Sequence, residues 1–504
     1  MPMIGHPTSA TEADMLVAPR RGGGRLGAAG LVAIGGAVGC FLLTALLGPS
    51  LFQPALDGRP GEPPYALDAG ASPYLVVGLV AGGVLAGAAG LAACFAALRR
   101  GWSMRARPLL VAGLLVMAAF TFLPPIGSSD HLNYAAYGRM VVLGHDPYTT
   151  GSTDVPHDPV VGATEEWRRT PSVYGPLTTA AQAAASWAGG TSVRLTVFGL
   201  SVLNGAAFAA TALILHRRAS GARGRLRAAL FWTVNPLVLL QLVAGAHNDV
   251  WAVALMIGSV AVFHGRPTVR KAVLSGVLAG LGAAVKLPAG LAAAGPAWTA
   301  LRGRRPGVLA ALSGSAVAVA ALLYALAGPN VLAQAGRASE MVSFATPWHL
   351  VDVHVTGDRD VIKIAAALLT VVLALLLFRG LPRTADVPRD DPRRVAAAVV
   401  LAWLVAAPYV LPWYDGYAWV LLALLPASRF DWLLLLHTTA LSLAYLPARG
   451  PRVIGLPENL SWLPETVRPL IVPWILTAIL LTVPLLCLPL RTPRRPPAPG
   501  RPTD

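Results

Sequence analysis

Apolar runs of 15–25 residues recur along nearly the whole chain, separated by short polar stretches. Each is long enough to cross a hydrocarbon core of ~30 Å as a helix. A backbone in lipid must satisfy its own hydrogen bonds, so the crossings are predicted to be helical. The pattern places them near 26–47, 73–98, 108–126, 192–215, 228–244, 250–264, 272–286, 288–301, 307–328, 361–378, 395–411, 416–428, 430–447 and 471–490. The fold class expected is therefore an all-α polytopic membrane protein. About fourteen spans put both termini on one side. The run 288–301 and the pair flanking Asp415 are the least regular. The segment from Gly175 to Trp187 is mildly apolar and short, and is expected to lie along a membrane face or dip into it.

Composition agrees with that class. Of 504 residues 55% are apolar and 13% charged, against roughly 25% charged in soluble domains. Mean hydropathy is +0.60. The formal charge of +16 does not indicate nucleic acid, because the arginines sit in short clusters between apolar runs. With the segmentation above, about 28 of the 40 Lys and Arg fall on one side, and about 17 of the 24 Asp and Glu on the other. The Arg-rich side is expected to be cytoplasmic. Residues 1–25 then form a polar, disordered cytoplasmic N-terminus. Residues 26–490 form one multi-spanning unit with an extracytoplasmic loop over 127–191, and 491–504 a basic, proline-rich cytoplasmic tail. The apolar run 26–47 is long for a signal-peptide core and is expected to stay as the first span. Cys40, Cys94 and Cys487 lie inside apolar runs as packing residues, with no disulfide framework or metal spacing.

Against this background the polar exceptions fall at the outer ends of spans: Asp130 with its flank, "GAHND" (245–249), "KLP" (286–288) and "PWYDGY" (412–417). Asp130, Tyr134 and Tyr137 share a helical face, the two tyrosines being candidate sugar or acceptor contacts, and Ser128 or Ser129 can cap that helix. Asp130 reads either as a first-turn carboxylate favoured by the helix dipole or as a general base at the water–lipid boundary. His131 reads either as a second titrating group or, more simply, as a polar interfacial residue. Trp167 and Tyr174 suit either stacking on a sugar or interfacial anchoring. Arg168 and Arg169 can meet a phosphate or snorkel to headgroups, and Arg139 is a further candidate for a phosphate. His247, Asn248 and Asp249 offer a sugar- or phosphate-neighbouring set, or a helix cap, while Trp413 and Asp415 are candidate acceptor contacts. Lys286, one of three lysines, stands alone in "LGAAVKLPAG". It either snorkels or holds an anionic lipid phosphate. Asn235-Pro236, inside a span, predicts a kink whose freed carbonyl an amide satisfies.

The stretches "SSDHLNYAAYGRMVVLGHDPYTTG", "WRRTPSVYGPL", "NPLVLL…GAHNDVWAVALMIG" and "KLPAGL", in that order, resemble the actinobacterial polyprenol-phosphate-mannose-dependent α-(1→6)-mannopyranosyltransferases of the lipomannan pathway. The resemblance covers about residues 122 to 300, with "PWYDGYAW" beyond. It implies a GT-C fold of about 12–14 transmembrane helices, whose long first outer loop carries interfacial helices and the catalytic site. It implies a multi-pass bacterial plasma-membrane enzyme, a polyprenyl-phosphate-mannose donor, a mannan or lipoglycan acceptor outside the membrane, and inversion at the sugar. Asp130 takes the catalytic-base position. Where many GT-C enzymes have two acidic residues this chain has Asp130-His131, so a metal held by paired carboxylates is not expected, nor is any other cofactor. The alternatives are a GT-C transferase using another polyprenyl-phosphate sugar or acceptor, and a polyprenyl-lipid transporter or flippase. A transporter would favour repeated halves and polar residues near mid-membrane. The chain shows no repeat.

Overall fold

The structure is a computed structural model that describes residues 22–488. Most of the expected cytoplasmic N-terminus and all of the expected tail lie outside the described residues. Among the described residues the regular structure is helical, with two isolated β-bridges and no strand.

Among the described residues, seven helices are long and apolar enough to cross a membrane: Gly23–Leu47, Pro73–Arg99, Val193–Arg218, Gly221–Ala244, Pro306–Ala327, Arg359–Gly380 and Glu458–Cys487. Shorter apolar helices at Ala106–Thr121, Asp249–Val262 and Phe430–Ala444 occupy other predicted runs. The two least regular stretches are broken up. The run 288–301 becomes a 3-10 segment, Leu287–Ala293, followed by the helix Ala294–Arg302. The run 416–428 is helical at Asp415–Leu422, where every residue is buried. That stretch is apolar because protein, not lipid, surrounds it.

Close packing of the first two long helices depends on small residues. A Cβ on Gly30 would lie 2.8 Å from the Gly90 carbonyl oxygen, and one on Gly90 would lie 2.8 Å from that of Gly30. Mutual approach of this kind is how small residues join helices where no hydrophobic drive acts between them.

The Gly221–Ala244 helix is not a regular α-helix throughout. Pro236 cannot donate to the preceding turn. Asn235 repairs the break: its side chain accepts from the amides of Leu237 and Val238 and donates to the Phe231 carbonyl at 3.2 Å. Wider turns at Ala229–Thr233 and Leu239–Ala244 flank it.

At the start of this helix, Arg227 makes two bonds of 2.7 Å to the two carboxylate oxygens of Asp431 and a third, of 2.9 Å, to the Leu422 carbonyl. Both side chains are buried. Removing one partner strands the other charge, which costs ~3–5 kcal/mol. Arg227→Met should therefore lower the unfolding midpoint of the detergent-solubilised protein sharply. The double variant with Asp431→Asn should recover most of the loss. Equal midpoints for Arg227→Met and wild type would show the pair to be energetically idle.

Candidate active site

At the other end of the same helix, roughly 25 Å away at the rise of a helix, the Ala244 carbonyl accepts from the amide of Ile126 at 2.8 Å. Next to it the Gly127 amide donates to the Phe52 carbonyl at 2.7 Å. These two bonds fix the point where the chain leaves the Ala106–Thr121 helix and turns into the loop helix Asp130–Val142. That helix lies against Pro176–Gly189, with Gly138 at the crossing, where a Cβ would come 2.1 Å from the Gln182 carbonyl oxygen. A larger residue would push the loop helix away and move Asp130 with it.

Ser129, at the N-cap, does not bond this helix with its side chain, whereas Ser128 reaches its first amide. Each hydroxyl has a partner elsewhere in the chain. Ser129 Oγ donates to Glu166 Oε2 at 2.7 Å. Ser128 Oγ accepts from the Asp130 amide at 3.3 Å and lies 3.0 Å from His247 Nε2.

Asp130 opens the helix with 17% of its side chain exposed. Burial lifts its pKa to about 7, Glu166 and Asp249 push it the same way, and Lys286 and the Tyr134 hydroxyl oppose them. Its carboxylate receives a long bond, 3.5 Å, from Tyr134. The Tyr174 hydroxyl donates onward to that of Tyr134 at 3.3 Å, the two rings meeting edge to face. Tyr137 donates instead to the Thr170 carbonyl at 2.9 Å. His131 is fully buried, and burial holds its imidazole neutral, with a pKa of about 3.

Lys286 enters from another part of the chain. The Gly175 amide and the Thr178 hydroxyl both bond the Val285 carbonyl, at 3.1 and 3.0 Å, so the loop carrying Tyr174 is fastened beside the lysine. Lys286 Nζ lies 2.8 Å from Asp249 Oδ1. It also sits 3.9 Å from the centre of the Tyr414 ring and 5.8 Å from that of Tyr174. The Tyr417 hydroxyl donates to the same Asp249 oxygen at 3.2 Å. Lys286 keeps 18% exposure while the Asp249 side chain has none. The lysine is thus held by a buried acid and two aromatic rings, and its side chain remains partly exposed.

The structure therefore gathers Asp130, Tyr134, Tyr174, His247, Asp249, Lys286 and Trp413. Asn248, next to Asp249, is buried, and its amide atoms have no hydrogen-bond partner among the described residues. Other candidates stand apart. Arg139 is paired with Asp158 at 2.8 Å. Arg168 and Trp167 are exposed, Trp167 with a left-handed backbone, φ 56°. Asp415 is buried, 2.9 Å from His437 Nδ1, and accepts from Thr438 Oγ1 at 2.6 Å. Within "PWYDGY" it is Trp413, Tyr414 and Tyr417 that reach the site. Tyr417 follows Tyr414 and Trp413 by three and four residues, which brings it back to their side of the chain, while Asp415 is engaged by His437 and Thr438.

The sequence pattern gives Ser128 and Ser129 a capping role only, and Glu166 and Arg449 none. Glu166 is raised in pKa, by burial first. Its neighbour Glu165 is ion-paired with Arg449, which also bonds the Ser50 carbonyl. The doublet "EE" beside Trp167 was the available signal. Among the described residues, no group of three or more His, Cys, Asp and Glu is placed to hold a metal.

Comparison with known proteins bears on this geometry. Residues 28–302 match the family described as alpha-(1->6)-mannopyranosyltransferase, N-terminal domain. The chain is 28% identical over 340 residues to alpha-(1->6)-mannopyranosyltransferase A of Mycobacterium tuberculosis, covering 60% of this chain and 62% of that protein. It is 30% identical over 142 residues to alpha-(1->6)-mannopyranosyltransferase A of Corynebacterium glutamicum, 28% of each. A probable alpha-(1->6)-mannopyranosyltransferase of Mycolicibacterium smegmatis is 32% identical over 139 residues, 27% of this chain and 25% of that protein. The chain thus spans less than two thirds of the length of these curated relatives. No solved structure matches it.

Proposed function

We propose that this chain, which belongs to the alpha-(1->6)-mannopyranosyltransferase family, transfers mannose from a polyprenyl-phosphate donor to an α-1,6-mannan acceptor at the extracytoplasmic membrane face. The observation that carries the reading is the pairing of a raised-pKa carboxylate, Asp130, with a partly exposed cation, Lys286, within electrostatic reach of each other.

Each part matches one demand of the chemistry. The acceptor hydroxyl oxygen bonds to the anomeric carbon as the bond from that carbon to the phosphate oxygen breaks. The hydroxyl proton goes to Asp130, and the electron pair leaves with the lipid phosphate. A phosphate monoester has its second pKa near ~6, so it departs without a general acid. What it needs is a cation for its developing charge, and Lys286 supplies one. A base near neutrality suits the acceptor hydroxyl, because proton transfer is most effective when the base pKa lies close to the working pH. The outward orientation is supported by the arginine clusters at the opposite span ends.

Donor choice is tested by reconstituting the protein in lipid and supplying polyprenyl phosphate carrying radiolabelled mannose, glucose or arabinofuranose with an α-1,6-linked mannoside acceptor. Transfer from the mannose donor, extending the acceptor by an α-1,6 linkage, is expected. Turnover confined to another sugar would overturn the substrate assignment.

A further inference from the structure

The ring of His247 is held from three directions. Its Nδ1 lies 2.5 Å from the Gln241 carbonyl oxygen. A carbonyl can only accept, so Nδ1 carries the hydrogen, and in the neutral imidazole Nε2 is a bare lone pair. The ring stacks on Trp413, with centroids 3.6 Å apart and planes within 15°, which sets the direction of that lone pair. It points at Ser128 Oγ, 3.0 Å away, and Asp130 Oδ2, 3.7 Å away.

Ser128 has one hydroxyl hydrogen. Its oxygen already accepts from the Asp130 amide, and its hydrogen is drawn to Nε2. The Ser128 hydroxyl is thereby kept from donating to the carboxylate. A carboxylate that accepts several hydrogen bonds is a weak base, because those bonds favour its charged form. Among the described residues, the Asp130 carboxylate accepts a long bond from Tyr134.

We infer that His247 is a positioning residue that keeps Asp130 basic: its one fixed lone pair holds the Ser128 hydrogen off the charged carboxylate and, when the carboxyl is protonated, takes the carboxyl hydrogen in its place. This rests on the reading of Asp130 as the base. When the carboxylate is charged, two acceptors face each other across 3.7 Å. When it takes the acceptor proton, an O–H donor faces a lone pair, and the gap can close to a hydrogen bond of ~2.7 Å. The surrounding charges agree. Glu166 and Asp249 disfavour a charged Asp130, and Lys286 opposes them in part. Burial, Lys286 and His131 hold His247 neutral, with a pKa of about 3, the Gln241 carbonyl opposing them. A proton entering the pair therefore stays on the carboxyl.

The test is the pH dependence of kcat/KM in His247→Gln. A glutamine amide can turn its NH2 group to the carboxylate, favouring the charged form. The acid limb should move down by about one pH unit, with a plateau lowered roughly threefold because the base is weaker. His247→Phe keeps the stacking on Trp413 but offers no lone pair, which frees the Ser128 hydrogen for Asp130. It should move the limb in the same direction, and it provides the reading if the glutamine variant does not fold. A limb that stays at the wild-type midpoint while the rate falls evenly would make His247 a structural residue and overturn the inference. Assaying Asp130→Asn alongside separates the two claims. An inactive Asp130→Asn with an unmoved His247→Gln limb removes His247 alone, whereas an active Asp130→Asn removes the base itself.

Discussion

Asp130→Asn should cost the purified protein at least ~100-fold in transfer while leaving its melting temperature almost unchanged. General-base catalysis contributes typically ~10²–10⁴-fold, and each tenfold is about 1.4 kcal/mol of barrier. The asparagine keeps the size of the side chain and an oxygen able to accept from Tyr134. The bond to Ser128 comes from the backbone amide and survives. Asparagine at a helix start is about as favourable as aspartate. Burying a neutral amide where a carboxylate stood relieves desolvation, so no large loss of stability offsets these retained contacts. Near-wild-type turnover in the folded variant would end the base assignment and turn attention to Glu166, which holds Ser129 next door.

Lys286→Met should have two separable consequences. The first is structural: it strands the fully buried Asp249 carboxylate, for which ~3–5 kcal/mol of destabilisation is expected. The second is functional. Loss of the cation should raise the donor KM roughly tenfold or more, since a hydrogen bond to a charged group is worth ~1.5–3 kcal/mol. The double variant Lys286→Met/Asp249→Asn tells them apart. It should regain most of the melting temperature without regaining donor affinity. Lys286→Arg, which keeps the charge, should lose less affinity than Lys286→Met. If donor dependence is unchanged in both single variants, the lysine serves only as a partner for Asp249.

The helical membrane class was legible in the sequence because lipid imposes a strong and simple pattern. The runs at 26–47, 73–98, 192–215, 307–328 and 361–378 all fall, to within one residue, inside helices long enough to span. What the pattern does not separate is lipid contact from protein contact. The Asp415–Leu422 helix and the Gly221–Ala244 helix are apolar because they are enclosed by other helices. Hydropathy has the same sign in both settings, so such runs read as spans whatever surrounds them.

The site was legible where a polar residue stood out against an apolar run. Asp130, His247, Asp249 and Lys286 were each conspicuous in that way, and the fold brings them to one place. Residues whose role depends on a distant partner were not legible. Arg139 reads as a free cation until Asp158 is found against it. Asp415 reads as a site acid until His437 and Thr438 are found around it. Ser129 reads as a helix cap until Glu166 is found against it, and Ser128, which does accept from the first amide of the helix, also meets His247.

The central claim, that Asp130 accepts the acceptor proton, is tested most directly by the pH dependence of kcat/KM in wild type and Asp130→Asn, measured in the same lipid. The carboxylate form is the active one, so the wild-type rate should fall as pH drops through about 7, the raised pKa of Asp130. The residual rate of Asp130→Asn should show no such limb. A limb at the same midpoint in both proteins would place the titrating base elsewhere and contradict the account.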